Sequence, residues 1–200
     1  MEFQEFPKMA RLSRPCIITE KIDGTNAQIW IAPDGDQLLI GSRTRWITPK
    51  DDNFGFASWV VANEDEIRKL GPGRHFGEWW GKGIQRGYGV PDKRLSLFNV
   101  SRWCLHGHEP KTTIHPDPKV PPKTQDMLPE CVGLVPVLWE GQFCTVTVDA
   151  FLKTLSEIGS IASPGFMDPE GVVVFHVAAG IGFKKTIKGD EVPKSMHIRK

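Results

Sequence analysis

Short stretches in which apolar residues recur at every second position run through most of the chain, and they predict a protein built largely of strands. Cys16-Ile17-Ile18-Thr19 reads as an incoming strand, and Ala27-Gln28-Ile29-Trp30-Ile31 alternates in the manner of a half-buried one. Asp23-Gly24 between them is a hairpin-type turn signal. A further hairpin is predicted from Ala27 to Ile31 and from Gln37 to Gly41, around the turn Pro33-Asp34-Gly35-Asp36. Two more strands, His75 to Trp80 and Ser96 to Trp103, flank the glycine-rich run from Gly81 to Gly89, and a last pair covers Gly171 to Val177 and Gly180 to Lys185.

Helical spacing is confined to two places. The latter half of Asn53 to Leu70 has apolar Val60, Val61, Ile67 and Leu70, with Gly71-Pro72-Gly73 as a stop. Val148 to Ile158 repeats through Phe151, Leu152, Leu155 and Ile158 and stops at Gly159. Met1 to Arg14, with Phe3, Phe6 and Pro7 among charges, is expected to pack as an irregular lead-in. Glu109 to Pro129 contains Pro110, Pro116, Pro118, Pro121, Pro122 and Pro129, too many for regular structure, and reads as a surface loop. Residues 1–200 are expected to form a single domain.

Composition narrows the picture. The 200 residues are 40% hydrophobic and 24% charged, enough for one substantial core. Net charge is +1, so a polyanionic partner would have to be met by local clusters rather than by a global field. No apolar run suggests a membrane span and no signal pattern opens the chain, so a cytoplasmic protein is expected; it is also expected to be a monomer. Cys16, Cys104, Cys131 and Cys144 are scattered and read as buried thiols. His106-Gly107-His108 and His115 read as histidines in a loop rather than as a metal site.

The stretch Glu20-Lys21-Ile22-Asp23-Gly24-Thr25-Asn26 changes that bland reading. With a two-residue period, Thr19, Lys21 and Asp23 share one strand face, and Ile18 and Ile22 the other, so Lys21 points away from its apolar neighbours. A lysine acts as a nucleophile only through its neutral amine, which partial burial or neighbouring cations favour. Taken alone, a lysine beside a tight turn is a solvated side chain.

The same residues resemble motif I, Lys-x-Asp-Gly, of the covalent nucleotidyltransferases, the superfamily of polynucleotide ligases and mRNA capping enzymes. The Thr-Asn extension is most similar to the RNA ligase branch. Further stretches follow in the order that this family would place them. Ser42-Arg43 resembles motif Ia, whose arginine contacts phosphate or a nucleic-acid end. Phe76-Gly77-Glu78-Trp79 resembles motif III, whose carboxylate accepts bonds from ribose hydroxyls, and Phe98-Asn99-Val100 resembles motif IIIa, whose ring stacks on the purine. Glu170-Gly171-Val172-Val173 resembles motif IV, whose carboxylate binds a divalent ion. Phe183-Lys184-Lys185 resembles motif V, whose lysine neutralises the α-phosphate. The adjacent lysines depart from the more frequent Lys-x-Lys; on an alternating strand only one can enter a pocket, and Lys184 is the expected one.

The resemblance implies an α+β fold class, an adenylation domain with antiparallel sheets enclosing a nucleotide cleft and no C-terminal barrel. It implies a nucleotide site of Glu20, Lys21, Asn26, Arg43, Glu78, Phe98, Glu170, Lys184 and Lys185, with Lys21 and Lys184 catalytic and Glu170 at a metal. The implied activity is ATP-dependent RNA ligation through lysyl-AMP, with Mg2+ or Mn2+, on RNA or a nicked duplex carrying 5′-phosphate and 3′-hydroxyl ends. Arg43-Thr44-Arg45-Trp46 and Lys82-Gly83-Ile84-Gln85-Arg86 are candidates for a polynucleotide path. A small DNA ligase, a GTP-using capping guanylyltransferase and a non-catalytic nucleic-acid-binding module stay open as alternatives.

Overall fold

Strand alternation, two glycine turns and one long amphipathic helix account for most of the architecture in the computed structural model, which describes residues 1–114 and 116–190. His115 lies outside the described residues. Along the chain run β1 (Pro15–Lys21), β2 (Thr25–Ile31), β3 (Leu38–Gly41), β4 (Trp46–Ile47), α1 (Phe56–Ala62), α2 (Glu64–Arg68), β5 (Gly73–Gly81) and β6 (Lys93–Leu97). Short strands β7 (Trp103–Cys104), β8 (Thr112–Thr113), β9 (Lys123–Thr124), β10 (Asp126–Met127) and β11 (Gly133–Leu134) follow. Then come β12 (Val137–Gln142), α3 (Thr145–Ile158), β13 (Gly171–His176) and β14 (Ile181–Thr186). The result is a mixed α+β protein dominated by antiparallel pairs. No helix among the described residues is long and apolar enough to cross a membrane.

Two compact units divide the chain, one formed by Met1–Lys21 with Pro136–Lys200 and the other by Ile22–Val135. In the first, a four-stranded antiparallel sheet has the order β12-β1-β13-β14. Alternation along β1 and β13 turns Cys16, Ile18, Val172 and Val174 to one face, where α3 covers them with Val148 and Leu155. Phe151 and Leu152, at helical spacing from Val148, pack at the edge of this cluster. Burying a side chain such as Ile18 contributes about 1.5–3 kcal/mol. The lead-in does not pack as expected: Phe3, Phe6 and Met9 are exposed, and residues 1–11 form no regular structure. Its end is tied down by the Leu12 carbonyl, which accepts a bond from Nε2 of buried His176 at 2.8 Å, and by the Arg14 carbonyl, which accepts from the Phe143 N–H at 2.9 Å.

In the second unit, β11-β6-β5-β2-β3-β4 form a six-stranded sheet, antiparallel except where β11 joins β6. Ala27, Ile29, Ile31, Trp79, Leu95 and Leu97 turn to the face covered by Phe56, Ala57 and Val60 of α1 and Ile67 of α2. The helical stretch starts earlier than its periodicity predicts and is broken at Asn63, whose side-chain amide donates to the Trp59 carbonyl at 2.8 Å and closes α1. The Asp52 carboxylate accepts from the N–H groups of Ala57 and Ser58 at 2.8 and 3.0 Å and caps the start. Burial acts to raise the Asp52 pKa, but these bonds and that of the Ser58 hydroxyl outweigh it and hold the carboxyl below its ordinary value.

Four sequence expectations are corrected here. β1 and β2 do not form a hairpin: β1 pairs with β12 and β13, whereas β2 pairs with β3 and β5. The Asp23-Gly24 turn signal marks a crossover, because the backbone N–H groups of both residues donate outward to side chains of other elements. The strand expected from Ser96 to Trp103 stops at Leu97, and the proline-rich stretch holds three two-residue strands. Cys16 and Cys104 are buried thiols as expected, but Cys144 is exposed at the start of α3, where the Thr147 and Val146 N–H groups lower its pKa.

Candidate active site

Lys21 ends β1, and the antiparallel register sets it opposite Gly171, the first residue of β13. Glu170, one residue earlier, therefore reaches the lysine: Lys21 Nζ donates to Glu170 Oε2 in an ion pair whose carboxylate partner is buried. Gly171 makes that approach possible. Its φ is 154°, and a Cβ there would lie 2.8 Å from the Thr186 Cα and against the Lys185 carbonyl. The Glu170 carbonyl accepts from the Ile187 N–H at 3.0 Å, which pins the residue to the end of β14.

Register also separates the two lysines of β14. Directly paired residues of antiparallel strands share a face. Thr19, Val173 and Lys184 form one such row, and alternation puts Lys21 on the same face as Thr19. Glu20, Val172 and Lys185 form the other row, on the side covered by α3. Lys185 accordingly pairs with Asp149 of α3 at 2.6 Å, which raises its pKa, although the resemblance implied a nucleotide contact for it. Glu20, also in the implied nucleotide site, lies in the same row as Lys185. Its buried carboxylate accepts from the Ser160 hydroxyl at 2.6 Å and from the Ile161 and Ala162 N–H groups, both at 2.8 Å, so it anchors the loop after α3.

The remaining candidates belong to the second unit. Asn26 of β2 stands directly across from Glu78 of β5, and Glu78 Oε1 accepts from the Gly24 N–H at 3.0 Å. Gly24 has no room for a side chain, since a Cβ would meet Trp80 Cβ at 2.8 Å and the Trp79 carbonyl. Phe98 sits just past β6, held by a bond from its N–H to the Phe76 carbonyl at 3.0 Å, with its ring exposed. Arg43 is exposed in the turn between β3 and β4, two residues beyond Gly41, which pairs with Gln28 of β2.

Two residues outside the implied nucleotide site join this group, Tyr88 and Arg86, the latter a candidate only for the polynucleotide path. Arg86 Nε donates to Asp23 Oδ2 at 3.0 Å, and the buried Tyr88 hydroxyl accepts from the Asp23 N–H at 2.9 Å. Both come from the glycine-rich run after β5, where Gly81, Gly83, Gln85, Gly87, Tyr88 and Gly89 all have positive φ. Its glycine content was the signal that the run is a shaped loop; nothing in the sequence said that it would grip Asp23. Of the residues suggested for a polynucleotide path, Ile84 is instead core, and Arg45 is ion-paired to Asp51.

Among the described residues no group of three or more His, Cys, Asp or Glu is arranged to hold a metal ion. A magnesium ion at a phosphate site needs only one or two carboxylates, because waters and phosphate oxygens complete its shell. Glu170, buried and facing the Lys21 amine, fits that requirement.

The chain resembles structures of Naegleria gruberi RNA ligase, including mutants with ATP and Mn at 14% and 15% identity (TM-scores 0.55 and 0.56) and one with AMP and Mn at 15% (0.55). These matches cover 87%, 88% and 88% of this chain and 49%, 51% and 50% of the others, so it spans about half their length. No curated protein matches. The sequence model of the family described as RNA ligase matches residues 14–188, and the chain belongs to that RNA ligase family.

Proposed function

We propose that the chain is an ATP-dependent RNA ligase that works through a lysyl-AMP intermediate. The observation that carries this reading is the Lys21 amine held on the buried Glu170 carboxylate, two motif residues joined across β1 and β13. The neutral Lys21 amine attacks the ATP α-phosphorus; an N–P bond forms, the α–β P–O bond breaks and pyrophosphate leaves. A 5′-phosphate oxygen then displaces Lys21 from AMP, and a 3′-hydroxyl displaces AMP to seal the strand. Lys184, on the face of Lys21, offsets charge at the α-phosphate.

Glu78 and Asn26 take the ribose, Phe98 stacks on the purine and Arg43 binds phosphate or an RNA end. Glu170 would hold Mg2+ or Mn2+ together with nucleotide phosphate oxygens. Such an ion supplies charge neutralisation and orients the leaving group. The nucleotide- and Mn-bound relatives support this choice of ligands. The family match runs through both units, which supports reading them as one nucleotidyltransferase domain.

Incubation with ATP labelled at the α-phosphate, followed by denaturing electrophoresis, tests the reading. Acid-labile label on the protein is expected, and none on Lys21→Ala. Undiminished labelling of that variant would remove Lys21 from the chemistry.

A further inference from the structure

The face of the six-stranded sheet opposite its core carries a row of exposed aromatic rings. Gln28 of β2 pairs with Phe76 of β5 on one side and with Gly41 of β3 on the other, and Gly41 pairs with Trp46 of β4. Phe98 extends the β5–β6 pairing by one position, beside Phe76. Phe98, Phe76 and Trp46 therefore share one row and one face, with fractional exposures of 42%, 51% and 44%. Alternation sends the intervening Ala27, Ile29 and Ile31 to the core instead.

Strand propensity by itself explains aromatics in a sheet. It does not explain how Trp46 is arranged. A Cβ on Gly41 would lie 3.1 and 3.2 Å from Trp46 Cε3 and Cζ3, so the missing side chain is what lets the indole lie down on the sheet. Arg74, on the same face through its pairing with Trp30, sets its guanidinium 5.6 Å from the Trp46 ring centroid. It makes no ion pair among the described residues, so its charge is available to a phosphate. Flat exposed rings with an uncompensated arginine are the chemistry that takes unpaired bases and their backbone. Bases inside a duplex keep their faces stacked and cannot use such a surface.

We propose that Phe76, Trp46 and Arg74 form a stacking track for the unpaired bases of a single-stranded RNA, beginning beside Phe98. One inter-strand spacing, about 4.8 Å, separates Phe98 from Phe76, and Gln28 occupies the column between Phe76 and Gly41. The proposal rests on the reading of the chain as an RNA-joining enzyme and names the form of RNA that it engages.

The test measures binding of a short fluorescent RNA by anisotropy, without ATP, for the wild type, Trp46→Ala, Trp46→Phe, Phe76→Ala and Arg74→Ala. Three probes are used: the single strand, the same strand with one abasic position moved along it, and a blunt duplex. Trp46→Ala is expected to weaken single-strand binding about tenfold, equivalent to about 1.4 kcal/mol, and Trp46→Phe to restore most of it. The loss should vanish when the base over Trp46 is missing and should not be seen with the duplex. Equal losses on single strand and duplex, no loss at all, or a loss that persists at every abasic position would overturn the track. So would a change in molecular mass on a sizing column, which would make this face an interface between copies. Labelling of Lys21 by α-labelled ATP should be unchanged in Trp46→Ala. A wild type that binds RNA as described but takes no label would sink the ligase reading and leave the track standing.

Discussion

The sheet that ends in Lys21 and the six-stranded sheet treat their polar groups in opposite ways. In the first, Lys21 is tied to Glu170, Lys185 to Asp149, and Glu20 to the loop at Ser160 to Ala162. Among the described residues its apolar core is small, four buried strand residues with Val148 and Leu155 of α3. Among the described residues the six-stranded sheet has a cluster of 17 buried apolar residues, and its other face carries neutral amides, aromatic rings and the Arg74 charge beside Glu78. The difference follows from the tasks proposed for each. A nucleophile must be held to within about 0.5 Å, which paired charges on adjacent strands achieve, whereas a stacking surface accepts any base with a π-face.

The contrast can be broken most forcefully in the cores. Ile18→Ala and Ile29→Ala each remove a fully buried isoleucine and should each lower stability to urea by about 2–5 kcal/mol. Only Ile18→Ala should also depress lysine labelling under conditions where both variants stay folded, because β1 carries Lys21 three residues further on. Equal labelling in the two would show that the small core does not position the nucleophile.

Lys184→Ala should cut labelling about 10²–10³-fold, the usual effect of removing one preorganised charge donor, while Lys185→Ala stays near the wild type. The reverse order would mean that strand register does not decide which lysine serves the phosphate. In the other unit, Phe98→Ala should raise KM for ATP roughly tenfold with kcat little changed, consistent with about 1–3 kcal/mol of stacking. A fall in kcat instead would assign the ring a part in positioning the reacting phosphate.

Smaller effects sharpen the account of the six-stranded unit. Asp52→Ala should cost about 1 kcal/mol as a lost helix cap. Because the folded Asp52 pKa lies below its unfolded value, this contribution is present above about pH 3.9 and is lost as pH falls through the folded value. His75 has the same sign for a different reason. Burial pushes its pKa down, against the opposing bond to the Gly71 carbonyl and with help from the Arg102 charge. Its contribution is therefore full above about pH 6.5 and declines as pH drops toward and through the lowered value. Thermal melts of wild type and His75→Gln between pH 7 and pH 5 should converge in acid; parallel curves would exclude His75 as the source.

Much of this was legible from residues in order. Period-two alternation located β2, β3, β5, β13 and β14 to within a few residues, and helical spacing located α3, because side-chain periodicity is local. The same alternation predicted that Lys184 and Lys185 would part. It could not say which side α3 would cover, and that is what sends Lys185 to Asp149 and Glu20 to the Ser160 loop. The turn signal at Asp23-Gly24 misled because turn chemistry is also local, while the true partners of those N–H groups, Tyr88 and Glu78, lie 65 and 54 residues away.

The sequence by itself determined the element types, the motif order and, through them, the family: these depend on neighbouring residues and on spacing along one strand or helix. Only the tertiary structure decided which strands pair. Pairing sets Glu170 on Lys21 across 149 residues of sequence, aligns Phe98, Phe76 and Trp46 in one row, and brings Arg86 to Asp23. The physical reason is that strand alternation specifies two faces but not a partner. Register is chosen by the combined burial of both faces and the backbone hydrogen bonds between strands, and no single stretch of the chain contains that information.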